Sequence, residues 1–192
     1  EAGSEPGGSP ARLAARDASP VTFPGTALPS DKAHARLLGL YPQRQPGLWM
    51  QRVRVPGGRL TGDQWTALAA VARRWTPDEP LHLTTRQDVE LHGLAESAVP
   101  AVQRALAEAG LTTLGACGDT VRNVTVCPCS GTARGAPDLL PLAGQVTSLL
   151  QGEPGAFALP RKFKVSLSAC ADGCGQPAIN DLGFVALWQD GR

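Results

Sequence analysis

Residues 48–75, LWMQRVRVPGGRLTGDQWTALAAVARRW, change period midway, and that change decides how the chain is read. Trp49, Val53 and Val55 alternate with Arg52 and Arg54 in the two-residue rhythm of a half-buried strand. Pro56, Gly57 and Gly58 break the rhythm as a turn. Thr61, with Gln64 three residues on, is a capping-box signature, and Trp65, Leu68, Ala69, Ala72 and Trp75 lay one apolar stripe along the helix that follows.

Working outward, Leu81 and Leu83, then Val89 and Leu91, flank the polar run Thr84 to Asp88, which predicts two strands joined tightly with Arg86 at the connection. Ser97 is expected to cap a second helix carrying Val99, Val102, Leu106 and Ala109, ended by Gly110. Strand, helix, two strands and helix make most of a split βαβ unit of ferredoxin-like type, hence an α+β fold. Upstream, residues 1–44 are rich in Gly, Pro, Ser and Ala without a sustained period, so they are expected to be a disordered leader, with a short helical piece near Asp31 to Leu38.

Past residue 116, Gly118 to Thr125 predicts a loop entering a strand. Leu139, Leu142, Val146 and Leu149 predict a helix whose first turn must hold Pro141. In Arg161 to Leu167, Phe163, Val165 and Leu167 share one strand face, while Lys162 and Lys164 project together from the other. No acidic neighbour stands close in sequence. The plain reading is a solvated strand face; the alternative is an anion site, to which Arg86 and Arg122 would add forked donors.

Bulk properties exclude more than they assign. The 192 residues, 42% hydrophobic, can bury a core, and a net charge of +1 favours neither nucleic acid nor a membrane surface. No apolar run is long enough for a spanning helix and no signal segment is visible, which predicts a cytoplasmic protein without a membrane partner. Five cysteines, an odd number, argue against a disulfide framework. Both ends of the chain look cut.

The segments LTTRQDVELHG (83–93), GDTVRNVT (118–125), LPRKFK (159–164) and INDLGFV (179–185) together resemble, in order and spacing, the nitrite and sulfite reductase family. The resemblance implies a ferredoxin-like half-domain over 45–115, followed over 116–192 by the first part of a mixed α/β sirohaem-binding domain, truncated at its C-terminus. It implies six-electron reduction of nitrite or sulfite at a sirohaem coupled to a [4Fe-4S] cluster, fed by ferredoxin or a flavoprotein, with nitrite slightly favoured by the wording of 120–125. As an incomplete site, the fragment alone would be inactive. Arg86, Arg122, Lys162 and Lys164 map onto the family's basic residues around cofactor and anion, with Asn123 beside them. The lysines are the better proton donors. Two other outcomes stay open: a precorrin-3B synthase-like oxygenase of cobalamin synthesis, and a non-catalytic ferredoxin-like binding module.

The family's cluster cysteines, a pair with five residues between them and a pair with three between, belong to its C-terminal half, so the cluster ligands are expected outside this chain. Cys170 and Cys174 nevertheless have the second spacing, and Cys127 and Cys129 stand where a first pair would lie, although Ala133 replaces the partner of Cys127. These four are metal candidates; the alternative is small buried residues left by the ancestry of the repeat. Cys117 is expected to be structural. His34, His82 and His92 show no metal-ligand spacing, and Asn123-Val124-Thr125, a formal glycosylation acceptor, lacks a secretory context.

Overall fold

The computed structural model describes residues 31–187. Residues 1–30, most of the expected leader, and 188–192 lie outside the described residues. Within 1–44 the described part is ordered: α1 (Lys32–Leu37) is capped by Asp31, and β1 (Leu40–Pro42) pairs antiparallel with β2 (Leu48–Val53). Leu38 and Leu40 are buried, so the start of order predicted at residue 45 moves upstream. The helical piece near 31–38 forms as expected.

The capping box of Thr61 and Gln64 opens α2 (Gly62–Trp75) with both reciprocal hydrogen bonds. The two-residue β3 (His82–Leu83) and β4 (Val89–Ala95) form a hairpin, and the sheet order is β1-β2-β4-β3, wholly antiparallel. Ser97 does not cap the second helix. It lies in a single 3-10 turn, and α3 (Val99–Glu108) starts without a side-chain cap. Pro100 in its first turn has no N–H for a cap to satisfy. Leu68 and Val71 of α2 and Val99, Val102 and Leu106 of α3 pack with Val53, Val55, Val89, Leu91 and Leu94 in one core. Trp65, expected on that stripe, is 43% exposed.

A second, parallel sheet follows in the order β5-β6-β7: β5 (Val121–Val126), β6 (Phe163–Ser168) and β7 (Leu182–Val185). Its core is Val124, Val126, Val165 and Leu167 against α4 (Leu140–Gln151). Pro141 sits in the first turn of α4 as required, but the buried stripe is rotated. Leu140, Ala143, Val146 and Leu150 face the sheet, while Leu142 and Leu149 are exposed. The 3-10 turn Pro56–Gly58 packs on this core, and Gly57, at φ +63, lies where an added Cβ would come within 2.6 Å of Leu140. The small Ala143 faces the same contact, which explains the rotation.

Candidate functional site

The site is built along β6, which carries cations at its start and leads into thiols after its end. Lys162 is exposed and Lys164 half-buried, and they flank Phe163, whose register partner on β5 is Val121, next to Arg122. The backbone N–H of Lys164 donates to Asp181 Oδ2 at 2.8 Å. Among the described residues neither ammonium has a carboxylate within salt-bridge reach. Lys164, Ser166 and Ser168 alternate with the core residues Val165 and Leu167, so a polar strip runs up the strand. Ser166 is wholly buried and its hydroxyl has no partner.

Arg86, from the β3–β4 turn, reaches the same strand pair. Its guanidinium donates to Asn180 Oδ1 at 2.5 Å, to Val165 O at 2.8 Å and to Asn123 O. The β5–β6 register shifts between Val121 and Val124, and Arg86 serves carbonyls at that irregularity. Arg122 is also inside, 5% exposed, with its guanidinium donating to Ala116 O at 2.6 Å. Asn123 donates from Nδ2 to Val55 O and Arg86 O. The sequence-predicted basic residues are thus gathered at one end of β5 and β6, but the two arginines hold backbone there while the lysines are uncommitted.

Two residues of this region escaped the sequence reading. Arg52 and Arg54 occupy what looked like the solvent face of β2, yet the segment 115–122 covers it. Arg54 is 1% exposed and donates to Val121 O and Arg122 O at 3.0 and 2.9 Å; Arg52 is hydrogen-bonded to Glu90. Only an acidic counter-residue could have betrayed this, and it is Asp88, buried beside them with Oδ1 accepting from Val55 N–H. Burial pushes the Asp88 carboxyl up to about 6 against the pull of that N–H and of Arg54, and burial lowers Arg54 to about 10. Nε of Arg54, Arg86 and Arg122, with Asp88 Oδ2 and Asn123 Oδ1, are buried without partners. A surplus of buried guanidinium with spare N–H groups suits a polycarboxylate macrocycle such as sirohaem electrostatically, though these atoms are enclosed as they stand.

At the other end, Cys129, Cys170 and Cys174 offer sulfurs that all lie within 4.8 Å of one another. The Sγ of Cys174 is 3.7 Å from that of Cys170 and 4.0 Å from that of Cys129. Backbone N–H donation from Cys174, then its thiol, lowers the Cys170 pKa, and hydrogen bonding with Cys170 pushes Cys174 up to about 11. The tight loop depends on Gly175, where a Cβ would meet Ser168 Oγ at 2.7 Å and Leu167 O at 2.9 Å. Three sulfurs of one set fit iron–sulfur ligation. Cys127 stays out of the set: its buried Sγ accepts from Ala169 N–H at 3.1 Å. Cys117 is fully buried, as expected, its thiol pushed up to about 11 by burial.

The histidines contain a surprise, since cross-strand pairing stacks His82 on His92 with ring centroids 4.2 Å apart, close to Glu90. Of these donors, His92 and Glu90 are committed. Gln43 Oε1 accepts from Gly93 N–H, so its Nε2 donates to His92 Nδ1, and the neutral ring's proton sits on Nε2 facing Glu90 Oε2 at 3.1 Å. A metal at Nε2 would have to displace that proton. Among the described residues no helix is long and apolar enough to cross a membrane.

Residues 41–109 match the family model described as "Nitrite/Sulfite reductase ferredoxin-like half domain", and residues 117–192 match "Nitrite and sulphite reductase 4Fe-4S domain". The ferredoxin–nitrite reductase of Leptolyngbya laminosa is 34% identical over 153 residues, covering 76% of this chain and 30% of that protein. The sulfite reductase [NADPH] hemoprotein beta-component of Acidithiobacillus ferrooxidans is 34% identical over 166 residues, covering 75% and 29%. The solved structure of the NirA protein of Mycobacterium tuberculosis superposes with a TM-score of 0.71 at 28% identity, covering 82% of this chain and 32% of that one. The chain therefore spans about a third of the length of these proteins.

Proposed function

Because the chain belongs to the nitrite and sulfite reductase family, with a ferredoxin-like half domain followed by a 4Fe-4S domain, we propose that it is part of an oxidoreductase that reduces a small oxyanion, nitrite first, by six electrons. Ferredoxin is the proposed donor, as the names of the nitrite-reducing relatives have it, and the cytoplasm the proposed compartment. Sirohaem, when bound, would offer the anion an iron to sit on and a path for electrons from the cluster.

The observation that supports this best is the uncommitted ammonium pair of Lys162 and Lys164 beside the buried arginines, on the strand that leads to the thiols. Like charges one residue apart repel, and among the described residues no carboxylate lies within salt-bridge reach of either ammonium. An anion would relieve the repulsion, and it gains most where water is excluded. Lys162 and Lys164 would orient the oxyanion and deliver protons as its oxygens leave as water; arginine, protonated throughout, cannot readily do so. Arg86, Arg122 and Asn123 would position this end of β5 and β6 and supply positive potential from beneath. The domain boundary near residue 116 then separates a scaffold from the half-site it braces.

Anaerobic turnover of nitrite and of sulfite by the full-length protein that contains this chain, with reduced ferredoxin as donor, tests the reading. Lys162→Met and Lys164→Met are each expected to lose on the order of 100-fold in turnover, while urea unfolding midpoints stay within error. Preference for sulfite would overturn nitrite as substrate, and reduction of neither anion would overturn the function.

A further inference from the structure

We infer that Asp88 is a positioning residue of the basic site: enclosed with Arg54, Arg86 and Arg122, it takes up a proton when an anion binds beside them, so that anion binding and protonation of Asp88 are linked. The inference rests on the anion-reducing reading above and adds a proton to its binding step.

Among the described residues Asp88 is the only buried carboxylate, 1% exposed. Its backbone is fixed in the β3–β4 turn, where its N–H donates to Thr84 Oγ1 at 3.0 Å and its carbonyl accepts from Thr84 N–H at 2.9 Å. Its side chain is held on one side alone. Oδ1 accepts from Val55 N–H at 3.3 Å, while Oδ2 is buried without a partner. Val55 O accepts from Asn123 Nδ2 at 2.6 Å, so the carboxylate and Asn123 hold the two polar groups of one residue. From Asn123 the hydrogen bonds run through Arg86 to Val165, next to Lys164 on β6. A carboxylate among guanidinium groups ordinarily takes a forked pair of hydrogen bonds. This one lies within salt-bridge reach of no described cation, so it acts on the arginines through charge.

The charged and titratable groups that face it are Arg52 and Arg54 from β2 and its end, Arg86 from the turn, Arg122 from β5 and Cys117 from the covering segment; Glu90, further along β4, is paired with Arg52. Arg54, Arg86 and Arg122 each keep a buried Nε without a partner. Burial raises the carboxyl to about 6 against the pull of Arg54, Arg52 and Arg122, so near neutrality it is ionised and offsets one of their charges. An anion drawn to the same cations repels it and raises its proton affinity. Uptake of a solvent proton removes that repulsion and turns Oδ2 from an acceptor without a donor into a donor. Because linkage is reciprocal, the anion must bind more tightly as pH falls through the range just above 6, and the effect levels off below it.

Nitrite titration of the oxidised, cofactor-loaded full-length protein that contains this chain, at constant ionic strength from pH 8 to pH 5 and followed by visible absorption, tests the linkage. Nitrite stays an anion throughout that range. Repulsion between two unit charges across partly buried protein is worth about tenfold in affinity, so Kd should fall on the order of tenfold over the titration. In weakly buffered solution near pH 6.5, about half a proton should be taken up per nitrite bound. Asp88→Asn, neutral and of the same shape, should bind at pH 8 as the parent binds at pH 5, and should take up no proton. Equal pH slopes in parent and variant, or equal affinities at pH 8, would overturn the inference and leave the proposed reaction standing. Linked binding without reduction of nitrite would overturn the reaction alone, and absence of nitrite binding by the folded, loaded protein would overturn both.

Discussion

Replacing Arg86 with alanine separates a brace from a ligand. The side chain now donates to Asn180 Oδ1, Val165 O and Asn123 O. Its removal strands two carbonyls at the register shift of β5 and β6, each worth roughly 1–3 kcal/mol when left unpaired, or about 4 kcal/mol together. Relief of repulsion with Arg122 and Arg54 returns about 1 kcal/mol. A net loss of about 3 kcal/mol should lower Tm by roughly 6–12 °C in a domain of this size. Arg86→Lys keeps the charge but replaces a fork by a point, so about two-thirds of the loss should remain. Urea titration followed by circular dichroism, in buffer free of oxyanions, measures both variants. If Arg86→Ala stays within about 0.5 kcal/mol of the parent, the bracing role is refuted and the guanidinium belongs to a bound ligand instead.

Asp88 should make stability fall as pH rises. Its folded pKa, about 6, exceeds its ordinary 3.8, so between those values the folded state holds the extra proton; the penalty is absent below that window and complete above it, reaching about 3 kcal/mol. Unfolding free energies of the parent and Asp88→Asn at pH 4, 5 and 6.5 should therefore diverge with pH in favour of the variant, and a constant difference would refute the shift. Gly57→Ala, forced to keep a positive φ and pushed against Leu140, should cost roughly 1–3 kcal/mol. Adding Leu140→Ala should recover only the steric part, which a double-mutant cycle by denaturant titration will show.

What could be read in the sequence was local. The capping box at Thr61 and the change of period between β2 and α2 depend on near neighbours, and both formed as written. The positions that misled depend on what arrives from far along the chain. Arg52 and Arg54 alternate as a solvent face should, and nothing nearby announces that residues 115–122 will cover them. The stripe of α4 is rotated because Gly57, over 80 positions earlier, admits Leu140. The set of Cys129, Cys170 and Cys174 was half visible: the three-residue gap showed in the sequence, but whether Cys127 or Cys129 joins it turns on which side of the chain each sulfur falls, as β5 ends. The stacking of His82 on His92 needed the register of β3 on β4.

Gln87 has a consequence for how this protein can associate. It holds φ +61, and its amide meets Val126 twice, donating from Nε2 to the carbonyl at 2.6 Å and accepting at Oε1 from the N–H at 3.0 Å. A side chain thereby imitates a neighbouring strand and closes part of the β5 margin. Recruitment of further backbone there is blocked by an amide, not by charge or bulk. Among the described residues the opposite margin carries no such plug on its apolar residues, and Leu182 and Phe184 stand 41% and 50% exposed. The two margins of the parallel sheet are therefore unlike: one is closed in part by a side-chain amide, the other presents apolar side chains of β7.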